Sequence, residues 1–575
     1  MTSFYLQGLI SVISVISLSN FFNKKLNISI NKVYLITIIF LSFVLYISNY
    51  LNILKLSVYF LCFVSVIFLP YAFSILENRK TNIVFILILF FFLILGSDLF
   101  YNDEDELVYW GMKLKFFHMN YGNFLSYNSE FVSSYSNYTG LNFTEYNYHP
   151  VGLTVFQYFN SFFSPIHFPQ LSIFSNNIIL ISCFFYIFFE SDKLLKSFFK
   201  FLIFYALLNL LTFGMLSIYP DPIVASIFGI LIFKIYNVDR INKNQVFLII
   251  YLSFYLLIIY SASTLYISII FLYLIVIIFF KKNYITKNII IVLVLLNILS
   301  FILLKYFAYS IDVTNLIKIE NLKHFIIELV NKYITSPIYF SEFLILIKTI
   351  FSIVFGIDLS VHTMKINSLI FFASIILMFY FSKVNFTFLL NFIIGFIIVS
   401  FAIVTFKINY LSLSPLVYGR YISVFLLGSI ICIMYFFLKS NFNKKFIVII
   451  LVFLLISPNK VFTLVVPKSY YLKDNQNLNY YINKSQMEKI NFRNLKDSDL
   501  CIIYDKKIHN YQHSLYTSLI MFYSYPLEVN QNCYLKKQNS FKLKEKSKNY
   551  YLFLLNLNEN EILNLNDINY TILNY

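Results

Sequence analysis

The chain has 575 residues, 59% of them hydrophobic and only 12% charged, with a mean hydropathy of +0.73. Soluble domains carry roughly 45–50% apolar residues, so the composition excludes an ordinary water-soluble enzyme and indicates a multipass, all-α membrane protein. The formal charge of +17 reads as cytoplasmic loops kept positive, not as a nucleic-acid footprint.

A helix crossing about 30 Å of hydrocarbon takes about 20 mostly apolar residues. In chain order the apolar windows are 4–20, 33–51, 56–76, 82–96, 170–189, 198–213, 223–236, 246–261, 265–280, 288–307, 368–381, 386–405, 421–438 and 446–456. They predict about 13–14 transmembrane helices. The run 6–18 has no basic flank before it and no small-residue cleavage site after it, so it does not read as a cleavable signal. Segment 343–356 is apolar but interrupted by Lys348 and is read as interfacial. Phe (69) and Tyr (48) are abundant, but A/T-rich codons favour them along with Ile, Asn and Lys, so aromatic content carries no functional weight. Cys62, Cys183 and Cys432 fall in apolar runs. Cys501 and Cys533 lie in the polar C-terminal part and would be able to pair in an oxidising compartment.

Basic clusters divide the connectors into two sets. Lys24-Lys25, Arg79-Lys80, Lys193 with Lys196 and Lys200, Lys234 with Arg240 and Lys243, Lys281-Lys282 and Lys444-Lys445 are predicted cytoplasmic. The opposite set is then extracytoplasmic: 97–169, 214–221, 308–366, 406–420 and everything after about 467. Residues 1–466 read as a transmembrane catalytic domain with its large outer loop at 97–169. Residues 467–575 are polar, with short strand-like runs at 500–504, 550–555 and 570–573, and predict a small extracytoplasmic α/β domain.

The acids are few, 27 in all, yet four stand together as Asp103-Glu104-Asp105-Glu106 where the 82–96 helix leaves the bilayer. Tyr109 and Trp110, the one tryptophan of the chain, come a few residues on. A loop as long as 97–169 is usually functional or disordered, and its aromatic content argues for order. Capping a surface helix in solvent explains Asp103 and Glu104; Asp105, nearer the aromatic pair, is the better catalytic candidate. Tyr148-His149-Pro150 lies in the second half of the loop. Asp221 stands between two prolines at a helix start, where helix capping competes with catalysis. Arg420-Tyr421 opens a later helix on the same side, where snorkelling competes with phosphate binding.

These residues resemble a known family. Asp105-Glu106-Leu107-Val108-Tyr109-Trp110-Gly111 is similar to the acidic motif of GT-C-fold glycosyltransferases, in the polyprenyl-phosphate-sugar-dependent branch with protein O-mannosyltransferases and lipid A aminoarabinose transferases. Tyr148-His149-Pro150, Asp221 and Arg420-Tyr421 resemble the later Tyr-Pro segment, the second-loop acid and the late Arg-Tyr. Leu107-Val108 stand where the family carries a basic residue, several apolar runs precede the acidic loop instead of one, and no Trp-Trp-Asp motif is present. The resemblance implies transfer of a sugar from a polyprenyl-phosphate-linked donor to a glycan, lipid or protein acceptor outside a bacterial cytoplasmic membrane. It implies catalytic roles for Asp105, Glu106 and Asp221, donor-phosphate binding by Arg420 and Tyr421, and substrate binding by Tyr109, Trp110 and His149. Asp105 and Asp221 are also candidate ligands of a divalent cation such as Mg or Mn. Membrane lipids are expected partners and nucleic acid is not. An O-antigen-type polymerase or ligase would rely on outer-loop Arg and His, and 97–169 has no Arg. A flippase or transporter would carry ionisable groups in mid-helix, and the predicted spans hold no buried acid.

Overall fold

In the computed structural model the described residues are 2–74, 76–97, 110–119, 150–163, 169–212, 214–237, 243–260, 263–280, 359–361, 364–366, 386–410 and 415–439, plus strands between 499 and 573. The chain divides into two compact units. One is Met1–Asp98 with Asn147–Pro467, and the other is Leu99–Tyr146 with Lys468–Tyr575.

The first unit is a helical membrane bundle. It begins with α1 (Thr2–Leu26), α2 (Ile30–Tyr50), α3 (Leu54–Ile67), α4 (Leu69–Ser74) and α5 (Leu76–Leu95). Taking Met112–Met119 of the second unit as α6, it resumes with α7 (Gly152–Ser161), α8 (Pro169–Phe188), α9 (Leu194–Leu211), α10 (Asp221–Tyr236), α11 (Lys243–Ile259) and α12 (Ser263–Phe280). It ends with α13 (Phe386–Tyr410) and α14 (Pro415–Lys439). A two-stranded antiparallel ladder, β1 (Leu359–Val361) with β2 (Met364–Ile366), lies between α12 and α13 in the chain.

Four described helices contain stretches long and apolar enough to cross a membrane: Phe4–Leu26, Ile30–Tyr50, Asn78–Leu95 and Pro169–Phe188. Their environment follows from exposure. On α3 and α5, Leu56, Phe60, Phe63, Val66, Leu87 and Phe91 are 59–67% exposed, which in water would form an aggregating patch and in a bilayer meets lipid tails. α8 and α10 are predominantly apolar and almost wholly buried, as central helices should be. The window 56–76, read as one helix, is two. Pro70 has no N–H to offer the Val66 carbonyl and its ring crowds the preceding turn, so α3 ends at Ile67 and α4 starts at Leu69.

Asparagine amides tie the first helices together. Asn20 and Asn82 exchange hydrogen bonds at 3.3 Å in each direction, Asn78 donates to Asn20 at 3.2 Å and to Asn23 at 2.7 Å, and the Tyr34 hydroxyl donates to Asn82. Inter-helix hydrogen bonds of this kind average about 0.6 kcal/mol each, reaching about 1.7. Asn82→Leu should therefore lower stability in detergent by about 1–2 kcal/mol, read as a drop in thermal midpoint. An unchanged midpoint would show that the amides contribute nothing.

The α8–α9 turn is pinned at Glu190. Its backbone N–H donates to Ser197 Oγ at 2.9 Å, and its carboxylate pairs with Lys200 and, at 3.6 Å, with Lys193. Burial would raise this carboxyl, but the Lys200 ammonium, with Lys196 and Lys193, outweighs that and holds it below its ordinary value. A depressed carboxyl contributes stability above its unfolded pKa and loses it as pH falls through the folded one. Acid should thus loosen this turn, and Glu190→Gln should blunt the effect in hydrogen exchange between pH 5 and 3.

The second unit contains α6 and strands β3 (Asp499–Tyr504), β4 (Val529–Asn530), β5 (Tyr534–Lys537), β6 (Ser540–Leu543), β7 (Tyr550–Leu555), β8 (Ile562–Leu563) and β9 (Tyr570–Leu573). One sheet has the order β4-β3-β7-β9 and is parallel throughout; the other, β5-β6-β8, is mixed. Among the described residues of 467–575 there are strands and no helix.

Candidate functional site

The helix carrying Asp221 is held by close backbone contact with α14. A Cβ on Gly229 would lie 2.8 Å from the Gly428 carbonyl oxygen, and one on Gly428 would lie 2.9 Å from the Ala225 carbonyl oxygen. Only small residues permit such an approach. Around this crossing Phe228 packs on Phe425 with ring centroids 5.9 Å apart, and Phe233 packs on Tyr435 at 4.3 Å. Partners rise together along both helices, so α10 and α14 are parallel, and the same offset brings Asp221 level with Arg420 and Tyr421. α12 runs the same way, with Tyr266 beside Phe228 and Tyr273 beside Tyr236. The Tyr266 hydroxyl donates to the Tyr421 carbonyl at 3.0 Å.

Asp221 is fully buried. It is the first helical residue of α10, Pro220 is the cap and Pro222 follows, so the capping position expected for Asp221 belongs to a residue with no side-chain acceptor. Sixteen residues of helix rise only about 24 Å, short of a full hydrocarbon core. α14, with 25 residues, begins well beyond the level of Asp221. The acid therefore stands at a recessed helix end. Arg420 does not open its helix as expected: α14 starts at Pro415, whose fixed φ suits a first turn, and Arg420 follows within the second turn.

The stretch before Asp221, expected as an exposed outer loop, is buried along all of 214–220 and has no regular structure. Gly214 makes the entry with φ +79°, where a Cβ would also strike Asn209. Asn176 of α8 clasps the stretch, its Nδ2 donating to the Ser217 carbonyl at 3.1 Å and the Tyr219 carbonyl at 3.4 Å. Its Oδ1 accepts from Gln157 Nε2 at 3.0 Å.

Gln157 belongs to α7, a helix inside the supposed loop 97–169. All ten residues of α7 are buried, so the C-terminal part of that segment belongs to the bundle core. A Cβ on Gly152 would lie 2.5 Å from the Ile258 carbonyl oxygen of α11. Ser11 donates to the Asn160 carbonyl at 3.2 Å, and Gln7 accepts from the Phe163 N–H at 3.1 Å. Sequence reasoning missed Gln157 and Asn176. The available signal was the run of amides in apolar surroundings, since polar groups within a membrane are costly and seldom idle.

Of the other expected site residues, Asp105, Glu106, Tyr109 and His149 lie outside the described residues. Trp110 is buried, 3% exposed, in the second unit just before α6. Tyr421 is half-buried. On α6, burial pushes the Lys113 ammonium down to about 7 and the His118 imidazole down to about 4. No group of three or more His, Cys, Asp or Glu stands ready for a metal ion among the described residues. Asp221 is the one described member of the expected cation pair; Asp105 lies outside the described residues.

No protein-family model matches the chain, and neither a curated protein nor a solved structure matches it. The fold defines it as a multipass α-helical membrane protein.

Proposed function

We propose that this membrane protein is a glycosyltransferase that moves a sugar from a polyprenyl-phosphate-linked donor to a glycan, lipid or protein acceptor. The observation that carries the reading is the parallel α10–α14 crossing, which sets a buried carboxylate, Asp221, level with Arg420 and Tyr421 at a recessed helix end. The charge pattern supports an extracytoplasmic position for that end, in a bacterial cytoplasmic membrane, because Lys234 and the other basic connectors gather at the opposite one.

The chemistry suits such a site. The donor's tail stays in lipid while its head reaches the recess. The acceptor hydroxyl oxygen attacks the anomeric carbon, the bond from that carbon to the phosphate oxygen breaks, and the electron pair leaves with the lipid phosphate. The hydroxyl proton passes to a carboxylate, with Asp105 as base, and Asp221 and Glu106 as the further acids. Arg420 receives the phosphate charge through its planar fork of donors, beside Tyr421. Tyr109, Trp110 and His149 contact the sugar or the acceptor. The parallel sheet of 499–573 supports an α/β domain at 467–575 that docks the acceptor.

The test is sugar transfer by the purified chain in nanodiscs supplied with polyprenyl-phosphate sugars, together with the surface glycans of a deletion strain. Transfer in vitro and loss of a single sugar in the strain are expected. Loss of chain length instead would point to a polymerase.

A lipid-linked glycan flippase is the second reading, favoured by polar atoms buried without partners among the described residues: Thr154 Oγ1, Gln157 Oε1, Asn160 Oδ1 and both amide atoms of Asn177. Donor translocation without transfer would select it.

A further inference from the structure

We infer that Asn176, oriented by Gln157, is a positioning residue that fixes the depth of Asp221 through the buried stretch 214–220. The catalytic consequence rests on the glycosyltransferase reading; the brace itself does not.

Backbone without regular structure leaves carbonyls that must be satisfied, and in a membrane protein water is not at hand to do it. Asn176 Nδ2, with two hydrogens to give, donates to the carbonyls of both Ser217 and Tyr219. A reversed amide would set its oxygen against two carbonyl oxygens, and the Gln157 donor at 3.0 Å holds it in the productive sense. Gln157, Asn176 and Tyr219 are 0%, 1% and 2% exposed, so solvent cannot replace this clasp. Ser217 Oγ accepts from the Tyr219 N–H at 3.1 Å, closing the turn on itself. From Tyr219 only Pro220, with its fixed φ, intervenes before Asp221. A shift of the clasped carbonyls is therefore passed to the carboxylate, although the clasp itself stops two residues short of it.

The experiment uses the full chain, with its five cysteines replaced and a single Ser217→Cys introduced. In membranes this thiol should resist a membrane-impermeant maleimide. Asn176→Leu should release the stretch, raising the labelling rate and lowering kcat for sugar transfer by about 100-fold, the scale of a 1 Å misplacement, with donor KM unchanged. Gln157→Leu keeps both donors to the carbonyls and should give a smaller change of the same kind; it carries the test if Asn176→Leu fails to insert. Unaltered labelling and kcat in folded Asn176→Leu protein would overturn the inference, as would a rise in KM alone. If labelling rises but the unsubstituted chain transfers no sugar, the brace stands and the glycosyltransferase reading fails.

Discussion

Asp221→Asn is expected to lower sugar transfer by about 10²–10⁴-fold, the range for loss of a positioned acid or base, in a protein that still inserts and melts near the normal temperature. The substitution keeps shape and removes charge. An acid in the first turn also favours the helix dipole, but that is worth about 0.3–1 kcal/mol and at most about 2. A stability loss of that size leaves most molecules folded and does not reach a hundredfold loss in rate. Measured together, kcat and thermal midpoint separate the two roles. Normal turnover with a lowered midpoint would leave Asp221 a helix-stabilising residue and remove it from the chemistry.

Arg420→Ala should weaken donor use by about 10–100-fold in KM, the scale of one hydrogen bond to a charged group, with the protein still in the membrane. Arg420→Lys discriminates further. A lysine replaces a snorkelling arginine well, but it cannot reproduce two parallel bonds to a phosphate. Partial rescue by Lys supports the phosphate role. Full rescue, or no change in the alanine variant, would make the residue a membrane anchor. The level shared by Arg420 and Asp221 comes from the α10–α14 crossing and holds whatever the arrangement of 343–356.

Helix content was legible in the sequence where apolar runs were long. The windows 33–51 and 170–189 correspond to Ile30–Tyr50 and Pro169–Phe188, because about 20 apolar residues in a row have few alternatives in a bilayer. α7 was not legible. Ten residues are too few for a spanning window, and Thr154, Gln157 and Asn160 make Gly152–Ser161 look polar, although its partners are other helices rather than water.

The site was legible in part, for a related reason. Asp221 stands out in the sequence as an acid between prolines, and the structure buries it at a helix start. The stretch before it read as an outer loop because hydropathy registers composition and not the hydrogen bonds that let irregular backbone sink into a protein. The partner of that backbone, Asn176, lies about forty residues earlier in the chain, a separation that periodicity does not report.

The glycines at the α10–α14 crossing limit how this protein moves. Two helices this close at Gly229 and Gly428, with aromatic rings interlocked around them, have little room to slide, so the pair behaves as a fixed keel. Any opening that admits a lipid tail must come from elements hinged around that keel, and an acid and an arginine carried at its prow keep their spacing while the surrounding hull flexes.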